Sequence, residues 1–353
     1  MKNYYCNSIE EFLELSRGHE NIWLLLVAEE CSFDFSLLNA SDTQCYGAIF
    51  PEIIFANKHY SKGLIAIELE EKPLLIEDMN ANIADDIGLD GIESMLVFVD
   101  GLSTSIDSFL FSLFEVIDED CVLFGGGAGK LTFEQEKVIF TPDAIYKDAS
   151  LIIPFKKEIK VGVNHGWEFL EGPLVATSSE KNILKKIDYE DAYTVYKRIV
   201  EQDSGLKFNK DNFFELSKSY PLGIVSIDNE VVVRDPILVQ DNALVLVGDM
   251  PDNSIINILK GSKPHLIEAA KKAAQQAYDT QLNNEMVFMV DCISRVLFLE
   301  DSFKEEIGSV NEIIGNTPLV GVLTLGEIAN NSKSYIDFYN KTCVVGVLCS
   351  CNN

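Results

Sequence analysis

Residues 95–100 read MLVFVD and residues 286–291 read MVFMVD, two apolar runs that each stop at an aspartate. A third run of the same kind, IWLLLVAEE, occupies residues 22–30 and also ends in acids. Continuous apolar runs of this length are typical of strands that are buried on both faces of a sheet. The three runs therefore predict three buried strands, and each one opens a longer pattern.

Each run is followed by the same succession of elements. A segment with helix potential comes first; it is weak after residue 30 and clearest over residues 106–117. A second apolar strand with a glycine follows, in QCYGAIFPEI from residue 44, CVLFGGGAG from 121 and PLVGVLTLGEI from 318. A return strand closes the unit, in GLIAIEL from 63, ASLIIPF from 149 and CVVGVLC from 343. We therefore predict a strand, helix, strand, glycine turn, strand unit that is used three times, although similar strand endings also arise by chance in α/β proteins.

A different segment separates the second and third units. Residues 175–202 are polar and become helical after Tyr189. Residues 221–251 alternate short β-branched runs with the turn pairs Asp228-Asn229 and Asp241-Asn242, which is typical of a meander of strands. A long helix is predicted from about residue 264 to 282, where alanines allow close packing on a sheet.

The predicted fold class is α/β with α+β character, in which mixed β-sheets are flanked by helices. Two domains are expected, at residues 1–202 and 203–353, because the polar helical segment is the best boundary in the chain.

The charge excludes several classes of partner. The chain has 56 acidic and 28 basic residues, a net charge of -28, which repels phosphate backbones and anionic lipid. No apolar run approaches the roughly 20 residues of a membrane span, and the N-terminus lacks the pattern of a signal peptide. We expect a soluble, acidic, cytoplasmic protein that binds neither nucleic acid nor membrane.

The eight cysteines are scattered and form no CxxC pair. They are expected to be reduced and mostly buried. Cys349 and Cys351 could chelate a soft metal, but two thiolates supply half of a tetrahedral site. No metal site is predicted.

The polar residues around the last glycine turn form the candidate binding site. Arg295 lies four residues after Asp291 and could hold a carboxylate in a bidentate pair. Glu327, next to Gly326, or Asp291 could accept from an ammonium group. Further ligand contacts are expected from Asn330, Asn340, Lys341 and Thr342. The combination suits an amino acid or a similar small zwitterion, but internal pairing of Arg295 with Asp291 or Glu327, and of Lys341 with another carboxylate, remains an alternative.

Other residues could complete the pocket. Trp167 or Arg234 would form a wall, although Arg234 could also be a simple strand-edge charge. Gly126 and Gly127 belong to a glycine run that lacks the spacing of a phosphate-binding loop. That run predicts a turn with positive φ, or backbone that lines a pocket.

Two histidines and one cysteine suggest further chemistry. His165 precedes a glycine and a tryptophan and is expected either in the site or in an exposed loop. His265 begins the long helix, where a neutral ring could bind haem or a metal, or simply lie at the surface. Cys292 could be the nucleophile of a hydrolase-type enzyme, as could Glu327, but a buried structural thiol is the alternative. We predict no catalytic residue.

These sequences together resemble the FIST family of sensory domains, which pairs an N-terminal with a C-terminal FIST domain. The resemblance is carried by YGAIFPEI at 46–53, GGGAG at 125–129, NHGWEFLEGPLVAT at 164–177, VVRDP at 232–236, DCISR at 291–295, TLGEIAN at 324–330 and FYNKT at 338–342. It implies a cytoplasmic sensor of small ligands such as amino acids. It also implies that some relatives bind haem and report nitric oxide.

Many FIST chains carry a fused output module, whereas the two FIST halves use up the 353 residues of this chain. Either output then passes through a separate partner, such as a histidine kinase, a diguanylate cyclase or a chemotaxis protein, or the chain is not a signalling protein. A homodimer is among the assemblies that the sequence leaves open.

Overall fold

A computed structural model describes residues 1–81, 83, 87–89, 91–209, 211–226, 231–330 and 335–350. The predicted turn at Asp228-Asn229 and the thiol of Cys351 lie outside these residues. Within them, no helix combines the length and the apolar character needed to cross a membrane.

The first unit is built around the run at residues 22–30. Its elements are β1 (Asn3–Cys6), α1 (Ile9–Ser16), β2 (Ile22–Ala28), α2 (Phe35–Asn39), β3 (Gln44–Phe50), β4 (Glu52–Phe55), β5 (Lys58–Tyr60) and β6 (Leu64–Leu69). β2 pairs in parallel with β3 and antiparallel with the return strand β6. The helix between β2 and β3 is a short one, as the weak helix signal predicted.

The second unit repeats this arrangement with a longer helix. Its elements are β7 (Leu74–Ile76), β8 (Ser94–Asp100), α3 (Ile106–Val116), β9 (Val122–Ala128), β10 (Ile139–Phe140), β11 (Ile145–Tyr146) and β12 (Ser150–Phe155). β8 is again parallel to the second strand, β9, and antiparallel to the return strand, β12.

A small barrel separates the second and third units. The intervening elements are β13 (Ile159–Asn164), β14 (Glu168–Glu180), β15 (Ile183–Ile187), β16 (Glu190–Asp191), α4 (Ala192–Ser204), α5 (Phe213–Ser217), β17 (Leu222–Val225), β18 (Val231–Gln240), β19 (Ala243–Val247), β20 (Ile255–Lys260) and α6 (Lys263–Ala277). The strands pair in the order β14-β20-β17-β18-β19-β15, and β14 also pairs with β15. The ring of antiparallel strands therefore closes on itself, which removes its edges.

The third unit completes the pattern. It contains β21 (Asn283–Cys292), α7 (Ile293–Leu299), a 3-10 turn (Glu300–Ser302), α8 (Phe303–Ile314), β22 (Leu319–Thr324), β23 (Glu327–Ala329), β24 (Asp337–Tyr339) and β25 (Cys343–Ser350). β21 is parallel to β22 and antiparallel to β25. The predicted threefold repeat of strand, helix, strand and return strand is thus confirmed, but the glycine turn is not part of it in the first two units, where Gly47 and Gly125 lie inside β3 and β9.

The three units exchange their hairpins in a ring. In each unit, the hairpin between the second strand and the return strand pairs with the sheet of another unit. β4 of the first unit pairs with β22 of the third, β10 of the second with β3 of the first, and β23 of the third with β9 of the second. The three sheets consequently have equivalent orders, β1-β6-β2-β3-β10-β11, β7-β12-β8-β9-β23-β24 and β13-β25-β21-β22-β4-β5. No unit can complete its sheet alone, so the two halves of the chain are interleaved.

The central strands are buried on both faces. Phe98 of β8 and Phe288 of β21 face a core shared by the three sheets, where Phe98 also contacts Phe50 with ring centroids 4.9 Å apart. The alternate residues of these strands, such as Val97 and Met289, pack under the helices of their own units. Two-sided burial explains why these strands have continuous rather than alternating apolar sequences.

Two details of the prediction are corrected. The glycines Gly125, Gly126 and Gly127 lie inside β9, so the prediction of a turn there is wrong. The alanine-rich helix α6 ends at Ala277, before the predicted residue 282, because Tyr278 takes an extended conformation. The domain boundary predicted at 202/203 falls within α4 and stays a prediction.

Candidate functional site

A cavity of about 310 Å³ lies where β8 and β21 end and the barrel covers them. Its walls come from the loop after β8, the end of β21, the turn before β23 and the outer face of the barrel at β18 and β19. Residues that represent these walls are Leu102, Cys292, Ser294, Gly326, Asp235 and Val247. Ligands commonly bind at the carboxyl ends of strands in open α/β sheets, and the volume is at the small end of ligand pockets.

Arg295, the predicted anchor of a ligand carboxylate, lies behind this wall and is fully buried. Its Nε atom is 3.0 Å from Asp291 Oδ1, and its Nη2 atom is 2.5 Å from Glu306 Oε1. Nη1 donates to the carbonyl oxygens of His165 and Lys341, at 2.6 and 3.2 Å. The pairing with Asp291 is the internal alternative that the sequence left open. Ligand contact by Arg295 stays a prediction, and the geometry gives its donors partners within the protein.

The acids around Arg295 outnumber it. Burial and the nearby charge of Glu306 raise the pKa of Asp291 well above its ordinary value, against the opposing effect of Arg295. Burial also raises the pKa of Glu306. Asp291 Oδ2 and Glu306 Oε2 have no donor partner. The single guanidinium of Arg295 therefore faces two buried carboxyls whose pKa values are both raised.

Glu327 is a second buried acid beside the cavity. Burial raises its pKa to about 8. Thr324 Oγ1 lies 2.8 Å from Glu327 Oε1 and 3.1 Å from the carbonyl oxygen of Asp291. A hydroxyl has one proton, so it can donate to only one of these oxygens. If Glu327 carries a proton, it donates to Thr324, which donates to Asp291; the geometry thus favours neutral Glu327 as well.

Lys341 joins the third unit to the barrel. Its Nζ atom is 3.0 Å from Asp235 Oδ2, donates to the carbonyl oxygen of Lys218 at 3.1 Å, and lies 5.0 Å from the ring centre of Trp167. Trp167 in turn donates through Nε1 to the carbonyl oxygen of Lys341 at 2.9 Å. Lys341 is fully buried. Its ion pair with Asp235 is the internal pairing with a carboxylate that the sequence left open as an alternative.

Two residues of the cavity wall have an unused acceptor. Asp235 and Asn340 are each 1% exposed, and Asp235 Oδ1 and Asn340 Oδ1 have no donor partner. Asn340 Nδ2 donates to the carbonyl oxygen of Tyr339 at 2.9 Å, so exchanging the amide atoms would set two acceptors against each other. An unsatisfied buried polar group costs about 1–3 kcal/mol. Both oxygens have less than 1 Å² of accessible surface, so they lie behind the surface of the cavity rather than on it.

The outer part of the cavity is acidic. Asp107 and Asp249 line it with exposed side chains, together with Lys181. Desolvation by the surrounding protein raises the pKa of Asp107, Arg234 opposes that shift, and Asp249 adds to it. Asp107 is both accessible and partly desolvated because it faces a cavity rather than open solvent.

The remaining predicted residues are spread around the site. Asn330 is paired with the backbone at the start of β9, at Leu123 and at Cys121 just before the strand. Thr342 donates its backbone N–H to Glu327 Oε2 at 3.1 Å. Gly126 and Gly127 lie in β9, packed against the turn at Gly326. The ligand contacts predicted for them stay predictions.

Arg234 and the two histidines also have protein partners. Arg234 is buried and donates to the carbonyl oxygens of Asp249 and Phe338, so it is more than a strand-edge charge. His165 Nδ1 accepts from the backbone N–H of Trp167 at 2.9 Å, and burial lowers the pKa of His165 to about 4. His265 is exposed and its Nδ1 atom lies 2.5 Å from Glu168.

The sequence did not single out Asp235, Asp107 or Asp249. Asp235 follows Arg234 in the quoted VVRDP, and the Asp-Pro pair gave no reason to prefer the acid. Asp107 and Asp249 reach the cavity from two distant segments, the helix α3 and the loop after β19. Only the tertiary arrangement brings them together.

The lining of the cavity and the buried cluster beside it do not suit haem, metal or thiol chemistry. No described residue that lines the cavity is a histidine. Asp291, Glu306 and Cys343 approach one another within 4.8 Å, but Arg295 already supplies the cation beside them. Burial and the charge of Glu327 raise the pKa of Cys292 well above its ordinary value, which disfavours the thiolate that a nucleophile needs.

Two family models match the chain. The FIST N domain model matches residues 35–190, and the FIST C domain model matches residues 192–330. A comparison with curated proteins finds no match.

Proposed function

Since the chain belongs to the FIST family, whose domains are sensory domains associated with signalling and small ligands, we propose that it is a sensory protein whose ligand occupies the cavity described above. The ligand is small and polar, with amino acids among the classes to be tested. The observation that carries the proposal is a cavity of about 310 Å³ at the ends of β8 and β21, lined by the exposed polar side chains of Asp107, Asp249 and Lys181.

The cavity is well placed to couple binding to the rest of the molecule. Its walls belong to the second unit, the third unit and the barrel, so a ligand would bridge all three. Arg295 and Lys341 tie the third unit to the segments that carry Trp167 and Asp235. A bound molecule would therefore stabilise one arrangement of the barrel on the repeated units.

The output is proposed to pass to a separate protein in the cytoplasm, for which a histidine kinase, a diguanylate cyclase and a chemotaxis protein are candidates. A reducing compartment suits the described cysteines, all seven of which are free thiols.

The experiment is a thermal-stability screen of the purified chain against small metabolites, with a variant that fills the cavity. Val247 lies opposite Asp235 in the β18–β19 ladder and lines the cavity. Val247→Phe should abolish stabilisation by any hit. Val245→Phe, on the same face of β19 but outside the cavity, is the matched control and should retain it. A screen without hits, or a hit that Val247→Phe binds as well as the wild type, would overturn the proposal.

A further inference from the structure

An exposed aromatic ring lines the cavity. Phe133, in the loop between β9 and β10, is 54% exposed and is one of the lining residues. Leu131, two residues earlier in the same loop, packs against the apolar core of the third unit instead. The loop therefore buries its smaller apolar side chain and leaves the larger one facing the cavity.

The backbone of Phe133 has an uncommon conformation. Its φ is +53°, in the left-handed region, where glycine and asparagine are the usual residues and a bulky side chain is rare. The residue closes a tight turn in which its N–H donates to the carbonyl oxygen of Lys130 at 3.1 Å. Such a conformation persists only where the surrounding structure holds it, and conformations of this kind cluster at ligand sites.

Polar contacts on both sides of Phe133 hold the loop in place. Before it, Leu131 donates its backbone N–H to Glu29 Oε2 at 2.7 Å. After it, Gln135 Nε2 donates to Asp100 Oδ2 at 2.8 Å. Asp100 is the last residue of β8, so the loop is fixed to the strand end that contributes to the cavity wall.

A second ring lines the same cavity from a distant part of the chain. Phe338 of β24 is 6% exposed, and its ring lies against the turn at Gly326. The rest of the apolar lining includes the aliphatic side chains of Leu102, Ile237 and Ile293. A ligand in this cavity therefore meets two aromatic rings as well as aliphatic surface.

We propose that Phe133 is a specificity-determining residue of the cavity, and that the ligand contains an aromatic ring that packs against the ring of Phe133. The inference rests on the proposed function and adds an aromatic ring to its small polar ligand. Ring pairs in offset or edge-to-face arrangements favour binding by about two- to tenfold beyond the effect of the apolar area that they bury.

The charges around the cavity give no comparable preference. Arg234 opposes the charges of Asp107 and Asp249, and Lys181 adds a further cation to the lining. The preference for a ring is therefore expected whichever charge the ligand has, and the test varies the ring and the charge separately.

The test measures binding to the full chain by calorimetry, with pairs of probes that differ only in the saturation of a six-membered ring. The pairs are benzyl alcohol and cyclohexylmethanol, benzoate and cyclohexanecarboxylate, benzylamine and cyclohexylmethylamine, and L-phenylalanine and L-cyclohexylalanine. In each pair that binds, we expect the aromatic member to bind at least threefold more tightly than the saturated one.

Variants assign this preference to one ring. Phe133→Leu keeps a bulky apolar side chain at the same φ and removes the ring, so it should weaken the aromatic probe at least threefold and change the saturated probe less than twofold. Phe133→Tyr keeps the ring and should keep the preference. Phe111→Leu is the matched control, because Phe111 lies on α3, is 64% exposed and does not line the cavity; it should change neither probe.

The results distinguish the inference from the proposed function. The inference is overturned by equal binding of the two members of every pair, by no binding of any pair, or by a preference that Phe133→Leu leaves unchanged. The proposed function still stands in these cases if a metabolite without an aromatic ring binds and Val247→Phe excludes it. If every hit, aromatic or not, binds Val247→Phe as well as the wild type, the proposed function fails together with the inference.

Discussion

Gly125 lies directly opposite Val97 in the parallel ladder, and a β-carbon on Gly125 would be 1.8 Å from the carbonyl oxygen of Val97. The other two units contain the same relationship. A β-carbon on Gly47 would lie 2.1 Å from the oxygen of its partner Leu25, and one on Gly321 would lie 2.2 Å from that of Met289. The glycines of the repeat are thus required by the close approach of neighbouring strands, at equivalent register positions in all three units.

Gly321→Ala is expected to reduce the free energy of unfolding by about 3 kcal/mol, the upper end of the usual cost of overpacking. Gly308→Ala is the matched control, because Gly308 lies inside α8 with open space around its Cα atom. That change should stabilise the protein by about 0.5–1 kcal/mol, since alanine favours a helix. Urea unfolding followed by circular dichroism measures both. Equal effects of the two changes would contradict the steric explanation.

Arg295→Met is expected to destabilise the protein by about 3–5 kcal/mol, because it leaves Asp291 and Glu306 buried without their cation. Arg198→Met provides the control. Arg198 is 57% exposed and lies 3.4 Å from Glu190, and exposed pairs contribute about 0–1 kcal/mol. Chemical unfolding at pH 7 compares the two. A loss below about 1 kcal/mol for Arg295→Met would mean that the buried cluster contributes no more than a surface pair.

The apolar runs made the positions of the strands predictable. The pairing of strands that are distant in the sequence could not be predicted. β2, β8 and β21 could be located because each is buried on both faces, a property that the local sequence records directly. The sheet that each hairpin joins could not be predicted. β4 pairs with β22 across more than 250 residues of chain, and the exchanged strands have only two to four residues, too few to specify a partner. The repeat was therefore predictable, and its cyclic exchange was not.

The same distinction applies to the candidate site. The sequence predicted that Arg295 pairs with a carboxylate and suggested Asp291 or Glu327. It gave no reason to consider Glu306. That acid lies on α8, one face of which packs against α6, and helix packing decides which carboxylate reaches the guanidinium. Asp235 was missed because a single aspartate before a proline has many ordinary explanations.

The protonation of Glu327 predicts an unusual pH dependence. A carboxyl whose pKa is higher in the folded state takes up a proton on folding, so the free energy of unfolding falls as pH rises from about 4.5, its ordinary value, to about 8. Glu327→Gln imitates the neutral acid: its amide can donate to Thr324 and accept from the backbone N–H of Thr342. The free energies of unfolding of wild type and variant should therefore be closest near pH 5. By pH 8–9 the free energy of unfolding of the variant should exceed that of the wild type by several kcal/mol more than at pH 5.

Urea unfolding at half-unit steps between pH 5 and pH 9 checks this expectation. Glu312→Gln, which removes an acid that is 66% exposed, controls for the loss of one negative charge. If the difference between wild type and Glu327→Gln stays constant over this range, Glu327 is ionised throughout.

The thiols give a final prediction, which bears directly on hydrolase chemistry at Cys292. Burial raises the pKa of Cys45 to about 12, and burial with the charge of Glu327 raises that of Cys292 well above its ordinary value. The thiolate is the form that reacts with an alkylating reagent, so at pH 7.5 both cysteines should react only as fast as the native structure opens.

Mass spectrometry after timed alkylation with iodoacetamide gives the rate at each cysteine, and the same reaction in 6 M guanidinium chloride gives the rate in the unfolded chain. Protection of at least a hundredfold is expected at both cysteines, with Cys45 as the internal standard because it does not line the cavity. Rapid and selective alkylation of Cys292 in the native protein would instead identify an activated nucleophile and favour an enzyme over a sensor.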